Sequence, residues 1–85
     1  MEEFKPWLEV STAGVQSIGR SPYGTVSVIS DGVSGTVGVY VGSTFKPHTD
    51  GAITDGDMFT FDCGAGRELG VNVTSGTGII STVAV

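Results

Sequence analysis

The chain has 85 residues and a formal net charge of -5, from four basic and nine acidic side chains. That acidic balance excludes binding to nucleic acid or to an anionic membrane surface through a basic patch, because phosphate contacts need clustered Lys and Arg. The length makes one domain, 1–85, that buries only ~60% of its unfolded surface, and a single cysteine, Cys63, excludes a disulfide framework.

Charged residues are 15% of the chain, low against the usual ~25%, so the polar surface must be built from Ser and Thr. Such a surface packs against another protein without burying many charges. Seven aromatic residues, Phe4, Trp7, Tyr23, Tyr40, Phe45, Phe59 and Phe61, exceed what so small a core requires, and those left over are available to a partner. "MEEFKPWLEV" has neither a basic n-region nor an apolar h-region, so no signal peptide is expected. No apolar run approaches the length of a membrane span, and a lone thiol suits folding in a reducing cytosol.

Val, Thr, Ser and Gly dominate, and short Val- and Thr-rich runs punctuated by Gly, Asp and Ser predict an all-β domain of about seven antiparallel strands, a β-sandwich or jelly-roll-like barrel. Residues 1–10 combine an extended N-terminal arm with a first strand at Trp7–Ser11. Pro6 fixes φ and donates no hydrogen bond, which suits an edge or an arm. Phe4 and Trp7 either cap the open end of the core or reach a neighbouring subunit. Gly14–Gly19 is a weaker strand candidate.

Thr25–Ser30 and Thr36–Val41 alternate cleanly and are expected to form a hairpin across "DGVSG", whose Asp31 and Gly32 tolerate positive φ. Val26 and Val28 then face inward with Val37, Val39 and Val41, while Ile29 and Tyr40 face outward. Gly42–Asp57, "GSTFKPHTDGAITDGD", lacks a strand pattern and is expected to be a long surface loop with at most a short strand at Ala52–Thr54. Long loops in compact domains carry function disproportionately, so Phe45, Lys46, Pro47 and His48 are candidate contacts beside Tyr40. Asp57–Cys63 sets Phe59, Phe61 and Cys63 against Met58, Thr60 and Asp62. Leu69–Thr74 aligns Leu69, Val71 and Val73, and "NVT" at Asn72–Thr74 reads as strand rather than as a glycosylation site. Gly78–Val85 completes the pattern. Five of its last seven residues are apolar, so it is expected to be central in the sheet or paired across an interface.

No catalytic constellation is visible. "CGAGRELG" at Cys63–Gly70 resembles a dinucleotide fingerprint, but the residues that follow alternate as a strand where that fingerprint needs a helix. The plainer reading is a hairpin turn, and no cofactor is expected. Asp50, Asp55 and Asp57 could contribute to a Ca²⁺ site, but the ligand spacing of an EF-hand is missing, and Asp-Gly pairs are turn chemistry. Cys63 and His48 would form a nucleophilic pair if they met in space. Cys63 reads instead as a core thiol and His48 as a solvated residue. "G-x-S-x-G" is absent.

"EFKPW" at the start, "SDGVSGTVGVYVG" in the middle and "LGVNVTSGTGIISTVAV" at the end together resemble, in layout across nearly the whole chain, small all-β structural proteins encoded by tailed bacteriophages. The resemblance implies a non-enzymatic virion component, first of all a capsid decoration or cement protein on the major capsid protein lattice. It would be made in the bacterial cytoplasm and work as a homo-oligomer, a trimer being the expected number. The alternative it admits is a neck or tail accessory. The residues expected to touch partners are Phe4, Pro6 and Trp7 in the arm, Tyr40, and Phe45, Lys46, Pro47 and His48. The rival expectation is a carbohydrate- or receptor-binding module at a fibre tip, with Tyr23 and Tyr40 as an aromatic platform.

Overall fold

A computed structural model describes residues 7–84. Phe4 and Pro6 of the expected arm lie outside the described residues. Six strands follow one another: β1 (Trp7–Val10), β2 (Gly14–Arg20), β3 (Thr25–Val41), β4 (Thr44–Ile53), β5 (Met58–Asp62) and β6 (Glu68–Ala84). All pairings are antiparallel and belong to one open sheet. Among the described residues the hydrogen bonding shows one open sheet of six strands instead of seven, and neither a closed barrel nor a sandwich of two sheets.

The sheet is organised on β3 and β6, 17 residues each, which pair with one another from Val26↔Ala84 to Val39↔Leu69. β5 and β4 share the outer side of β3, β5 along its first half and β4 along its second. β1 and β2 share the outer side of β6 in the same way.

The expected hairpin at Asp31–Gly32 does not form; β3 continues through it as one strand. The positive φ of Gly32 (84°) serves a bulge instead of a turn. The register with β6 breaks between Asp31 and Val33 and again between Ser34 and Gly35. Buried positions on β3 are Val26, Val28 and Ser30 before this waist, and Val33, Gly35 and Val37 after it, with Gly38 also covered where Pro47 crosses it. On β6 the inward positions are Leu69, Val71 and Val73 on one side, Ile80 and Thr82 on the other, while Gly70 is covered on the opposite face by Tyr40 and Phe45. Both strands thus change from one parity to the other at the waist, as an inserted residue requires. The buried Ser30 hydroxyl donates to the Val33 carbonyl across the bulge, which satisfies both of those groups.

The waist is also a fold. A straight strand of 17 residues would be about 55 Å long, whereas the longest dimension of the molecule is 28 Å. Asp62 pairs near the start of β3, at Thr25, and Leu69 pairs near its end, at Val39. The connection from Asp62 to Glu68 can reach only about 20 Å. Both long strands therefore bend back at mid-length, and the inner faces of their halves share one core that includes Val26, Val28, Phe61 and Ile80 with Val33, Val37, Ile53, Leu69 and Val71. Of the five β3 residues expected inside, Val26, Val28 and Val37 are fully buried, Val39 packs partly on the core, and Val41 is exposed.

The segment 42–57 is corrected from loop to strand over Thr44–Ile53. Its polar composition reflects an edge position, since β4 pairs only with β3, and an edge tolerates Pro47. Between Thr36↔Ala52 and Gly38↔Pro47 a single β3 residue, Val37, faces His48 to Gly51, so the strand bulges outward at its most polar stretch. The "CGAGRELG" turn does not make a hairpin either. β5 and β6 both pair with β3, and the turn crosses the end of the folded sheet between them. It is fastened to the β2–β3 connection by Ser21 N–H to Arg67 O (2.9 Å), Gly66 N–H to Ser21 O (2.8 Å) and Cys63 N–H to Gly24 O (2.8 Å).

Candidate functional site

On the outer face of the half formed by β5, β3, β6 and β1, cross-strand register lines up Met58, Ile29, Ser81 and Trp7 in one row. Four strands at ~4.8 Å spacing make this row about 14 Å wide. Val83 extends the apolar surface on one side, in the row of Thr60 and Ser27, and Ile79 on the other. Trp7 is 68% exposed, Met58 64% and Val83 51%; Trp7 and Met58 open β1 and β5, and Val83 stands one residue before the end of β6. The alternation that buries Leu8 and Val10, Val26 and Val28, and Phe59 and Phe61 necessarily turns these residues outward.

The rim is polar and of one sign. Glu9 and Asp31 flank Ile79, and Asp62 accepts from Thr25 Oγ1 at 2.7 Å at the far corner. Ser27 and Thr60 share a hydroxyl hydrogen bond of 2.7 Å. Among the described residues this face carries three carboxylates and no cation.

The other residues expected at an interface are placed elsewhere. Tyr40 pairs with Phe45 across β3 and β4, their rings 5.7 Å apart and edge-on. They lie over Gly70, where a Cβ would come within 2.8 Å of the Tyr40 ring. Lys46 and Pro47 are exposed on β4. This group belongs to the half of the sheet away from Trp7, so the two sets of expected contacts form no single surface. Tyr23 is exposed in the β2–β3 connection beside Cys63, and Tyr40 adjoins Arg67 at the other end of the same turn.

His48 is exposed, as expected of a solvated residue, but it lies on β4 and its ring edges meet other aromatics. Its ring meets Phe59 at 5.0 Å and Phe61 at 5.7 Å, both edge-on, and those two stack on each other at 5.2 Å. Its Nδ1 accepts the Asp50 N–H at 3.0 Å, so a neutral ring carries its proton on Nε2. Cys63 is directed instead to the carbonyl of Gly24, 3.5 Å away. The histidine and the thiol thus take separate partners.

Two of the three carboxylates of "DGAITDGD", those of Asp55 and Asp57, act as turn acceptors. Asp57 Oδ2 receives the Thr54 N–H (2.8 Å) and the Thr54 hydroxyl (2.9 Å), and Asp55 Oδ1 receives the Gly32 N–H (2.7 Å). The backbone hydrogen bond first, then the hydroxyl, holds the Asp57 carboxyl below its ordinary value. Among the described residues no three His, Cys, Asp or Glu side chains converge as metal ligands.

Sequence patterning did not single out Met58 and Val83 as contacts, although the alternation of Asp57–Cys63 and Gly78–Val85 already put them on outward faces. What was missing was the register that aligns them with Ile29 and Trp7. Comparison with protein-family models, with curated proteins and with solved structures finds no match to this chain.

Proposed function

We propose that this chain is a non-enzymatic structural subunit of a tailed-bacteriophage particle, a capsid decoration or cement protein that docks on the major capsid protein. The observation that carries the reading is the outer face on which exposed Trp7, Met58 and Val83 surround half-buried Ile29 and Ser81, with an acidic rim. Apolar side chains held on a rigid sheet can be desolvated at little entropic cost, and Trp and Met are favoured at interface centres. The rim selects the partner. A surface with an apolar centre edged by Lys or Arg complements it, whereas two copies meeting face to face would bring like charges together. Homo-oligomerisation, to a trimer in this reading, therefore falls to other surfaces of the molecule. Repetition on a lattice multiplies weak contacts. The resemblance in layout to phage structural proteins supports the same assignment and a location in the virion. The bent sheet, closing two halves over one core, serves as a small sandwich of the jelly-roll kind.

The test is co-sedimentation of the chain with empty capsids of the cognate phage. The expected result is co-migration at fixed stoichiometry, lost in Trp7→Ser/Met58→Ser while the thermal midpoint of the free chain is retained. Failure of the wild type to co-migrate, together with retention on a glycan matrix, overturns the reading in favour of a fibre-tip binding module.

A further inference from the structure

At the end of the other half of the sheet, where β2 and β3 finish and β6 begins, lies a shallow cleft of about 310 Å³. Its walls include Arg20, Tyr40, Gly42, Gly66, Arg67 and Glu68. Two of the four basic residues in an acidic chain meet here. Each guanidinium is tethered at one nitrogen, Arg20 Nη1 to Gly66 O at 2.8 Å and Arg67 Nη1 to Tyr40 O at 3.4 Å. Arg20 stands directly opposite Glu68 in the β2–β6 ladder, yet among the described residues neither guanidinium forms an ion pair with a carboxylate. The carboxylate in the wall, Glu68, accepts from Ser17 Oγ through Oε2 at 2.7 Å, and Oε1 remains for a second donor. Gly42 and Gly66 leave the floor open, with nothing within 4 Å of where a Cβ would stand.

This combination is selective. Guanidinium groups already oriented by a backbone carbonyl bind a carboxylate through their remaining N–H groups. A carboxylate in the same wall repels a doubly charged phosphate, yet accepts hydrogen bonds from hydroxyls. The Tyr40 side chain adds an amphipathic aromatic surface. We propose that the Arg20–Arg67 cleft binds a sugar acid of the hexuronic class, its carboxylate on the arginines and its hydroxyls on Glu68. An acidic peptide offers the carboxylate without the neighbouring hydroxyls and is disfavoured by Glu68. The cleft shares no residue with the apolar face, so this site and the docking reading stand or fall separately.

The experiment is an amide-shift titration of the whole chain by NMR with sodium glucuronate, glucose, N-acetylglutamate and inorganic phosphate. Glucuronate is expected to give saturable shifts at Gly42, Gly66 and Arg67 in the millimolar range that exposed charge contacts allow, with glucose about tenfold weaker for want of the charged pair. Arg67→Gln and Arg20→Gln should each remove the response while the rest of the spectrum stays in place. Glu68→Gln should weaken glucuronate and strengthen N-acetylglutamate. No saturable shift with glucuronate, or an equal response to N-acetylglutamate or phosphate, overturns the assignment.

Discussion

A methyl group at Gly76 would stand 2.3 Å from the Gly32 carbonyl oxygen, on a backbone whose φ is 90°. Gly42 has a comparable φ of 64° but open space around it. The two positions separate backbone preference from close approach. Gly42→Ala should cost about 1 kcal/mol, the ordinary penalty of a left-handed alanine. Gly76→Ala should cost about 3 kcal/mol or more, because the two long strands must move apart where they bend. Urea denaturation of the two variants checks this, and equal losses would show that the waist does not depend on that contact. In a small domain whose total stability is ~5 kcal/mol, the larger loss is visible as a partly unfolded population.

At the scale of elements, the β4–β5 turn braces the waist from outside. Gly56 N–H donates to Ser30 O and Ser30 N–H to Asp57 O, both at 2.9 Å, while the Asp55 carboxylate takes the Gly32 N–H. Asp57 closes the turn by accepting twice from Thr54. Its folded pKa lies below the ordinary 3.8, so the charged form contributes stability above that value. The contribution is lost as pH falls through the lower, folded value. Asp57→Asn is therefore expected to be less stable than wild type at neutral pH, with the difference shrinking on acidification below about pH 4. Thermal midpoints measured from neutral to strongly acidic pH test it, and a difference that is constant with pH would sink this account. The same turn explains why "DGAITDGD" resembles a cation loop in sequence. Asp-Gly steps supply both carboxylates and turns, and here the turn takes the acceptors.

For the whole molecule, folding one sheet across its waist gives an 85-residue chain a core without a second sheet, and leaves the outer face of one half with more apolar surface than it covers. Trp7 reports on that face, being the single tryptophan and 68% exposed. Its emission in dilute solution should match that of a water-exposed indole and move to shorter wavelength when the chain docks on its lattice. A spectrum already blue-shifted in the free chain, or one unmoved by docking, would remove Trp7 from the interface.

Local alternation determined the all-β class, the inward positions Val26 and Val28, the shared face of Leu69, Val71 and Val73, and the outward turn of Ile29, because a period of two leaves each short run only one way to bury its β-branched residues. Where the runs join was left to tertiary structure. "SDGVSG" and "TSGTG" carry the glycines that a hairpin or a bulge can use equally well. Only the pairing of the two segments with each other makes both of them bulges, reversing the parity of each strand and folding the sheet. Likewise "TFKPHTDG" reads as loop by composition and becomes a strand because β3 offers an unpaired side and an edge tolerates proline. The apolar row and the Arg20–Arg67 cleft each draw residues from distant parts of the chain. They exist only through register and folding, which no stretch of sequence specifies alone.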